Sequence, residues 1–468
     1  MPAPNGSNAD PYDVAIIGAG VVGCAIARRF TLEGARVALI EKAADILDGA
    51  SKANSAILHT AFDAPTDSLE HACIRDGYRE YMDIHRQLGL PLERCGAHVV
   101  AWNEEEVAGL EGILHQAHDS GIEDVQIIDA SVLRDREPSL STTALAAISV
   151  PGECIIDPWS APYVYLTQAL ENGAEVFCGH EVKSGQFDGE TWQLETSKAH
   201  INCRSVINCA GLYGDRIDQN LLGASGFTIT PRKGQFVVYD KAASGLIESV
   251  ILPVPSARTK GIVVFRTVFG NLVVGPTAED QQSRHDASTD KETLRMLMKS
   301  GETKLPDLKQ IPVTAVYAGL RPASEFKDYQ IENHTDKNWI TVGGIRSTGL
   351  SSALGIAHYV YEKYAESGNK HACIKSPLIP QANRLAERAS RDWESEQAGE
   401  IVCHCELVTR REVQQALSGP LGAKSLQGLK RQTRVTMGRC QGFYCSARLA
   451  ELTADQFDLP LSEGINDE

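Results

Sequence analysis

Cys403 and Cys405 stand on either side of His404, and after thirty-four further residues Cys440 and Cys445 bracket Gln-Gly-Phe-Tyr. Four thiolates in two short pairs can close a tetrahedron around one zinc, or hold two irons with two sulfurs each. Spacing alone leaves both open, beside the plainer reading of unligated thiols. His404 reads as a bystander between ligands. Gly438, Gly442 and the backbone around Cys440 can bring N–H groups to the sulfurs, which would raise the potential of an iron cluster. The other eight of the twelve cysteines are scattered, mostly in apolar surroundings. In a long chain without an export signal they read as thiols and not as disulfides.

A second constellation lies at the other end. Gly18-Ala-Gly20-Val-Val-Gly23 supplies one glycine for a tight turn, one for close approach to a pyrophosphate and one for packing of helix on strand. The helix that follows would turn its unpaired N–H groups and positive dipole end toward the phosphates. Glu41, with Lys42 after it, ends the next strand where a carboxylate can hold ribose hydroxyls, which favours FAD or NAD over NADP. The motif does not separate those two, and a glycine-rich turn without ligand is the plain alternative. One such fingerprint at the N-terminus, with further glycine-rich turns at Ala210-Gly211 and Gly343 to Gly349, suits a long cofactor threaded through a discontinuous domain.

These residues need elements to position them. An apolar run, Tyr12 to Ile17, an Ala-rich helical pattern reaching Gly34 and a second strand over Arg36 to Ile40 open a βαβ unit, so the first expectation is a parallel α/β sheet. Residues 91–149 alternate helix-like acidic and short β-rich stretches. Residues 226–329 are β-dominated, with a hairpin turned at Gly270-Asn271. Together these read as one antiparallel substrate-facing sheet interleaved with a Rossmann-like FAD-binding domain made of 10–90, 150–225 and 330–375. A proline-bearing, charged linker over 376–400 leads to a small, mainly helical domain over 401–455.

At 468 residues the chain can bury several cores, and its formal charge of -16 argues against nucleic acid as a partner. No apolar stretch is long enough for a membrane span and the first residues lack the pattern of a signal peptide, so a cytoplasmic protein is expected.

The order GAGVVGCAIARRF, EK, SKANSAILH, NCAG, AGLRP and GGIRSTGLSSALGIA resembles the superfamily of FAD-dependent glycerol-3-phosphate dehydrogenases and D-amino acid oxidases over nearly the whole chain. Within it the sequence is most similar to the large-subunit group of the anaerobic glycerol-3-phosphate dehydrogenases, with kinship to 2-hydroxyglutarate dehydrogenases. The resemblance implies FAD, with Ser51, Asn54 and Ser55 on the segment that runs past the flavin toward His59. It implies that Val182 holds adenine through its backbone, and that Gly344, Thr348, Gly349 and Leu350 cap the isoalloxazine carbonyl. N–H groups of the helix after Gly349 would stabilise negative charge on the reduced ring, and that segment carries no Asp or Glu. Ser347, Thr348, Ser351 and Ser352 could equally be helix caps.

His59 is the candidate base for the heteroatom proton, against the alternative of a hydrogen-bonded core histidine. Arg321 matches the arginine that holds the substrate's anionic group, and a guanidinium fork suits phosphate or carboxylate. Arg346 is a second cation, in a segment that departs from the family: Ile345 stands where glycerol-3-phosphate enzymes have lysine, so the phosphate-binding set is incomplete. Arg266 and Lys233 are further cationic candidates, each equally readable as a solvated strand residue.

The terminal cysteine pattern, C-x-C with C-x4-C, resembles the bacterioferritin-associated ferredoxin type of [2Fe-2S] domain, which implies Cys403, Cys405, Cys440 and Cys445 as ligands. That domain is basic, which reads either as a docking face for an acidic partner or as balance for the anionic cluster. FAD takes a hydride as two electrons whereas such a cluster takes one, so a dehydrogenase with an external acceptor protein or subunit is expected, in an oligomer. The expected substrate is a small anionic alcohol such as glycerol 3-phosphate. The alternatives are a 2-hydroxy acid or amino acid derivative, an electron-relay subunit that oxidises nothing itself, and a redox sensor.

Overall fold

The computed structural model describes residues 10–255, 261–457 and 459–461; the leader over 1–9 lies outside them. Strand Tyr12–Ile17 is central, with Val14, Ala15 and Ile16 fully buried, as an apolar run covered on both faces must be. It pairs in parallel with Val37–Glu41 on one side and His200–Asn208 on the other. Glu175–Cys178 and Trp339–Gly343 extend the parallel sheet outward on each side. The antiparallel strands Val182–Phe187, Trp192–Thr196 and Gln330–His334 complete eight.

Helices Val21–Leu32, Leu69–Ile84, Ser160–Glu171 and Gly349–Glu366 pack together in the largest apolar core. Two of them touch through glycines: a Cβ on Gly77 would meet the Ser351 carbonyl at 2.2 Å, and one on Gly355 would meet that of Cys73 at 2.1 Å. That closeness carries His59 to its partner Ser351.

The second sheet has nine strands and unites the two separated β-rich regions, as expected. Its long pair is Ile229–Tyr239 against Val313–Ser324, antiparallel over eleven residue pairs. The predicted hairpin forms between Val263–Arg266 and Leu272–Gly275, with Gly270 left-handed at φ +84° in its turn. The sheet is not antiparallel throughout, however. Val250–Pro253 runs parallel to Ala97–Ala101, and this pairing is where the two sequence regions join. Strands brought together from distant segments carry no hairpin constraint on their direction.

Residues 401–455 form a small domain of strands Ile401–Cys403 and Val408–Thr409 and helices Arg410–Ser418, Leu426–Thr433 and Ser446–Leu452, with a core that includes Val408, Val413, Leu429 and Leu449. Thr409 and Glu412 close a reciprocal cap on its first helix. The segment 376–400 has one short turn, Asp392–Glu394, yet is laid down firmly: Leu385 is buried in the core of the second sheet, and Arg391 donates to the Glu406 carbonyl. The small domain docks on both others. Asp45 accepts from the Lys424 N–H and the Ser425 hydroxyl at 2.9 and 2.6 Å, and Arg439 pairs with Asp240 at 2.7 Å. Among the described residues no helix is long and apolar enough to cross a membrane.

Candidate active site

The C-terminal ends of four parallel strands bring together Gly18, Glu41, Ala210 with Gly211, and Gly344, which is where open α/β sheets place a dinucleotide. Gly18 takes φ +104° and its N–H donates to the Ile40 carbonyl at 2.8 Å. A Cβ on Gly23 would lie 2.0 Å from the Gly18 carbonyl oxygen, so the turn closes only with glycine there. Gly20 precedes helix Val21–Leu32, which has no acidic residue in its first turn and no capping side chain on Gly20; Ser51 Oγ accepts the Val21 N–H at 3.0 Å. Both Glu41 oxygens accept backbone N–H groups, from Ala19 and Ala43 at 2.8 Å each, and burial pushes this carboxyl's pKa up. Each oxygen retains a second lone pair for a ribose hydroxyl. The glycine cradle, the helix start free of acidic side chains and the carboxylate therefore fit FAD. Lys42 points elsewhere, its Nζ 3.5 Å from the centre of the Tyr213 ring. Val182 is buried at the start of the antiparallel hairpin, opposite Thr196.

Ser55, His59, Arg321, Arg346 and Thr348 share the wall of one cavity of about 190 Å³. His59 Nδ1 lies 2.7 Å from Glu153 Oε2, while the other oxygen of Glu153 accepts the Thr60 N–H at 2.7 Å and its hydroxyl at 2.9 Å. Glu153 is completely buried. The His59 N–H donates to Ser351 Oγ at 2.9 Å, which in turn donates to the Ile57 carbonyl. Asn54 shapes the same segment: its Oδ1 accepts the Ala56 N–H at 2.6 Å, and its carbonyl accepts the Tyr317 hydroxyl.

Across the cavity the Arg321 guanidinium donates to the backbone carbonyls of Thr277, at 2.5 Å, and Lys233, at 3.3 Å. Gly234 makes room for it, since a Cβ there would come within 2.9 Å of Arg321 Nη2. Burial, with the charges of Arg232 and Arg346 nearby, pulls the Arg321 pKa down to about 10, and Asp280 offsets this in part. Asp280 itself forks onto Arg232 at 2.6 and 3.0 Å. Arg232, Arg321 and Arg346 thus cluster around Asp280, with Asp63 and Glu70 also on the cavity lining, and an anion beside the three guanidinium groups would relieve their mutual repulsion. Arg346 donates to the Lys327 carbonyl at 3.0 Å. Arg266 is turned away and buried against Glu93, and Lys233 pairs with Asp286. In a strand the neighbour takes the opposite face, so it is Arg232 that lines the cavity.

Thr348 precedes helix Gly349–Glu366 without capping it: its hydroxyl donates to Glu70 Oε1 at 2.6 Å and is bonded to the Tyr329 hydroxyl at 2.7 Å. Ser351 and Ser352 are engaged elsewhere as well, so the capping reading fails for these three. The expectation that no acid stands near this helix start holds for its own segment but not for the fold, which brings Glu70 from helix Leu69–Ile84. Glu153 and Glu70 escape a reading of motifs, although a carboxylate inside the apolar run over 148–156 is itself a signal of a paired buried charge.

In the small domain the side chains of Cys403 and Cys445 are in contact, as are those of Cys405 and Cys440. The N–H groups of Gly442, Phe443 and Tyr444 all point at the Cys440 sulfur, and that of Thr436 at Cys445. Gly438 is required where it stands, because a Cβ would lie 2.3 Å from that of Cys405. Thiols approaching in twos, ringed by backbone donors, suit a two-iron cluster.

The family model for FAD dependent oxidoreductases of the DAO type matches residues 13–363. This chain belongs to that family. The oxidoreductase also carries a BFD-like [2Fe-2S] binding domain, matched over residues 401–455, which decides between iron and zinc. It is 33% identical to glycerol 3-phosphate dehydrogenase of Caloramator mitchellensis over 97% of this chain and 96% of that one. It is 25% identical to one subunit of the anaerobic glycerol-3-phosphate dehydrogenase of Escherichia coli K12, over 94% and 87%. Among solved structures, dithionite-reduced L-alpha-glycerophosphate oxidase from Mycoplasma pneumoniae with FAD bound superposes with a TM-score of 0.74 at 27% identity, covering 80% of this oxidoreductase and 99% of that chain.

Proposed function

We propose that this oxidoreductase oxidises the secondary alcohol of glycerol 3-phosphate to a ketone and delivers the electrons through its [2Fe-2S] cluster to an external acceptor protein or subunit. The observation that carries the reading is one cavity lined both by His59, held on a buried carboxylate, and by the Arg232, Arg321 and Arg346 cluster. Bound FAD supplies the two-electron hydride acceptor and the cluster a one-electron store.

In the tautomer whose Nδ1–H donates to Glu153, Nε2 of His59 is the ring's acceptor and would take the hydroxyl proton. Arg321 and Arg346 hold the phosphate and so fix which carbon faces the flavin. The start of helix Gly349–Glu366 would offer backbone N–H groups to a bound flavin ring, with Gly344 at φ +66° allowing close approach. Ser51 and Glu41 orient the pyrophosphate and ribose. Cys403, Cys405, Cys440 and Cys445 hold the cluster. Phe443 and Tyr444, between two of these ligands, are 82% and 76% exposed, so the cluster edge is open to an acceptor.

Ile345, in place of lysine, favours a second reading in which the substrate is a 2-hydroxy acid, since one guanidinium fork holds a carboxylate as well as a phosphate. Anaerobic titration of the holoenzyme separates the two: glycerol 3-phosphate should bleach the flavin at lower concentration than 2-hydroxyglutarate, and bleaching by the hydroxy acid alone would overturn the phosphate reading.

A further inference from the structure

The small domain meets the rest of the molecule mostly through polar contacts: Asp45 with Lys424 and Ser425, Arg431 with the Ile46 carbonyl, Arg439 with Asp240. Leu421 adds an apolar contact with the largest core, and a further contact is of another kind. Arg434, buried at 4% exposure, lays its guanidinium 3.9 Å from the centre of the Phe269 ring. Phe269, also buried, stacks on Trp159 with ring centroids 5.7 Å apart and planes 13° from parallel. The Trp159 indole N–H donates to the Lys52 carbonyl at 3.2 Å.

Both ends of this stack reach a redox site. Lys52 follows Ser51, which takes the first N–H of the dinucleotide helix, and lies three residues before Ser55 at the cavity. Arg434 binds Glu406, the neighbour of Cys405, at 2.9 Å, and stands two residues before Thr436, whose N–H points at the Cys445 sulfur.

We infer that the stack Trp159, Phe269 and Arg434 is the route by which electrons cross from the flavin pocket to the [2Fe-2S] site. This rests on the placement of the two groups proposed above. Oxidation of the alcohol releases two electrons and two protons. The protons leave to solvent, and the electrons cross singly, each converting one Fe(III) of the cluster to Fe(II) before an external one-electron acceptor removes it. The two rings and the planar cation pack in contact across the boundary between the domains, whereas a void there would forfeit those contacts outright.

The experiment uses the holoenzyme with the flavin reduced by light and EDTA, so that no substrate is needed, and follows cluster reduction by EPR and absorbance. Phe269→Leu and Trp159→Leu should each slow cluster reduction roughly tenfold or more, because each opens a gap in the stack. Trp159→Phe, which keeps a ring, should stay near wild type. Iron content, flavin content and cluster midpoint potential should be unchanged, which a merely structural role would not give. Transfer at the wild-type rate in either leucine variant that retains its cluster would overturn the inference. If Phe269→Leu, which removes the ring under Arg434, loses the cluster, Trp159→Leu, one ring further from the small domain, decides alone. A failure of glycerol 3-phosphate to bleach the flavin would count against the substrate reading and leave this result standing, because light supplies the electrons.

Discussion

Glu153 and His59 are joined by a 2.7 Å hydrogen bond, and Glu153 has no exposure to solvent. A buried carboxylate is tolerated only with its oxygens occupied, and Thr60 gives its N–H and hydroxyl to the second one. The pair therefore fixes the direction of the imidazole, while Ser351 holds the backbone of His59 from helix Gly349–Glu366.

His59→Asn should lower substrate-driven flavin reduction by about 10²–10⁴-fold, the usual worth of a positioned general base. Glu153→Gln keeps the shape but not the charge and should lose about 10–100-fold, as for other groups that orient a functional histidine. Stopped-flow absorbance of the flavin measures both. Wild-type rates in His59→Asn would remove the base from the account.

Arg321→Lys should raise KM about tenfold or more with a smaller change in kcat, since lysine cannot fork onto the anion. A further outcome concerns stability. Inorganic phosphate should raise the Tm of the wild type, by linkage worth about 2.7 kcal/mol at a hundred times its Kd, and should do so less in the variant. Equal phosphate protection of the two proteins would place the anion elsewhere.

Much of the site is legible in the sequence because it depends on local backbone geometry. Gly18 and Gly23 announce a turn that admits no side chain, and Cys403, Cys405, Cys440 and Cys445 announce a paired thiol set by spacing, though not the metal it holds. Partners across the fold are not legible in that way. Glu153 lies ninety-four residues from His59, and Glu70 lies 278 from Thr348; only tertiary packing brings them in. Arg232 is obscured by its neighbour Lys233, because which of two adjacent cations faces the cavity depends on strand register. The parallel pairing of Val250–Pro253 with Ala97–Ala101 is hidden for the same reason.

Gly23→Ala should yield protein with little bound FAD. Its Cβ would sit 2.0 Å from the Gly18 carbonyl oxygen, and overpacking of this kind costs about 1–3 kcal/mol or more while opening the turn that cradles the pyrophosphate. The ratio of flavin to protein absorbance in the purified variant reads this directly. Full FAD occupancy would contradict the close helix-on-strand packing.

His98 lies buried in strand Ala97–Ala101 and its pKa is pulled down to about 4, first by burial and then by Arg136. It is neutral in the folded state, while the unfolded chain takes up a proton below about 6.5. Stability is therefore full above that pH and is lost as the pH falls toward 4, by up to roughly 3 kcal/mol from this group. His98→Gln should flatten the decline of Tm between those values. An unaltered slope would assign the acid sensitivity to other groups.

The central claim is that one substrate feeds two redox centres in this chain. It is tested most directly by mixing anaerobic holoenzyme with glycerol 3-phosphate and freezing samples over time for EPR alongside flavin absorbance. The account predicts that the flavin bleaches and that the signal of a reduced [2Fe-2S] cluster then grows in. Bleaching with a cluster that stays oxidised under any excess of substrate, or no bleaching at all, would contradict it.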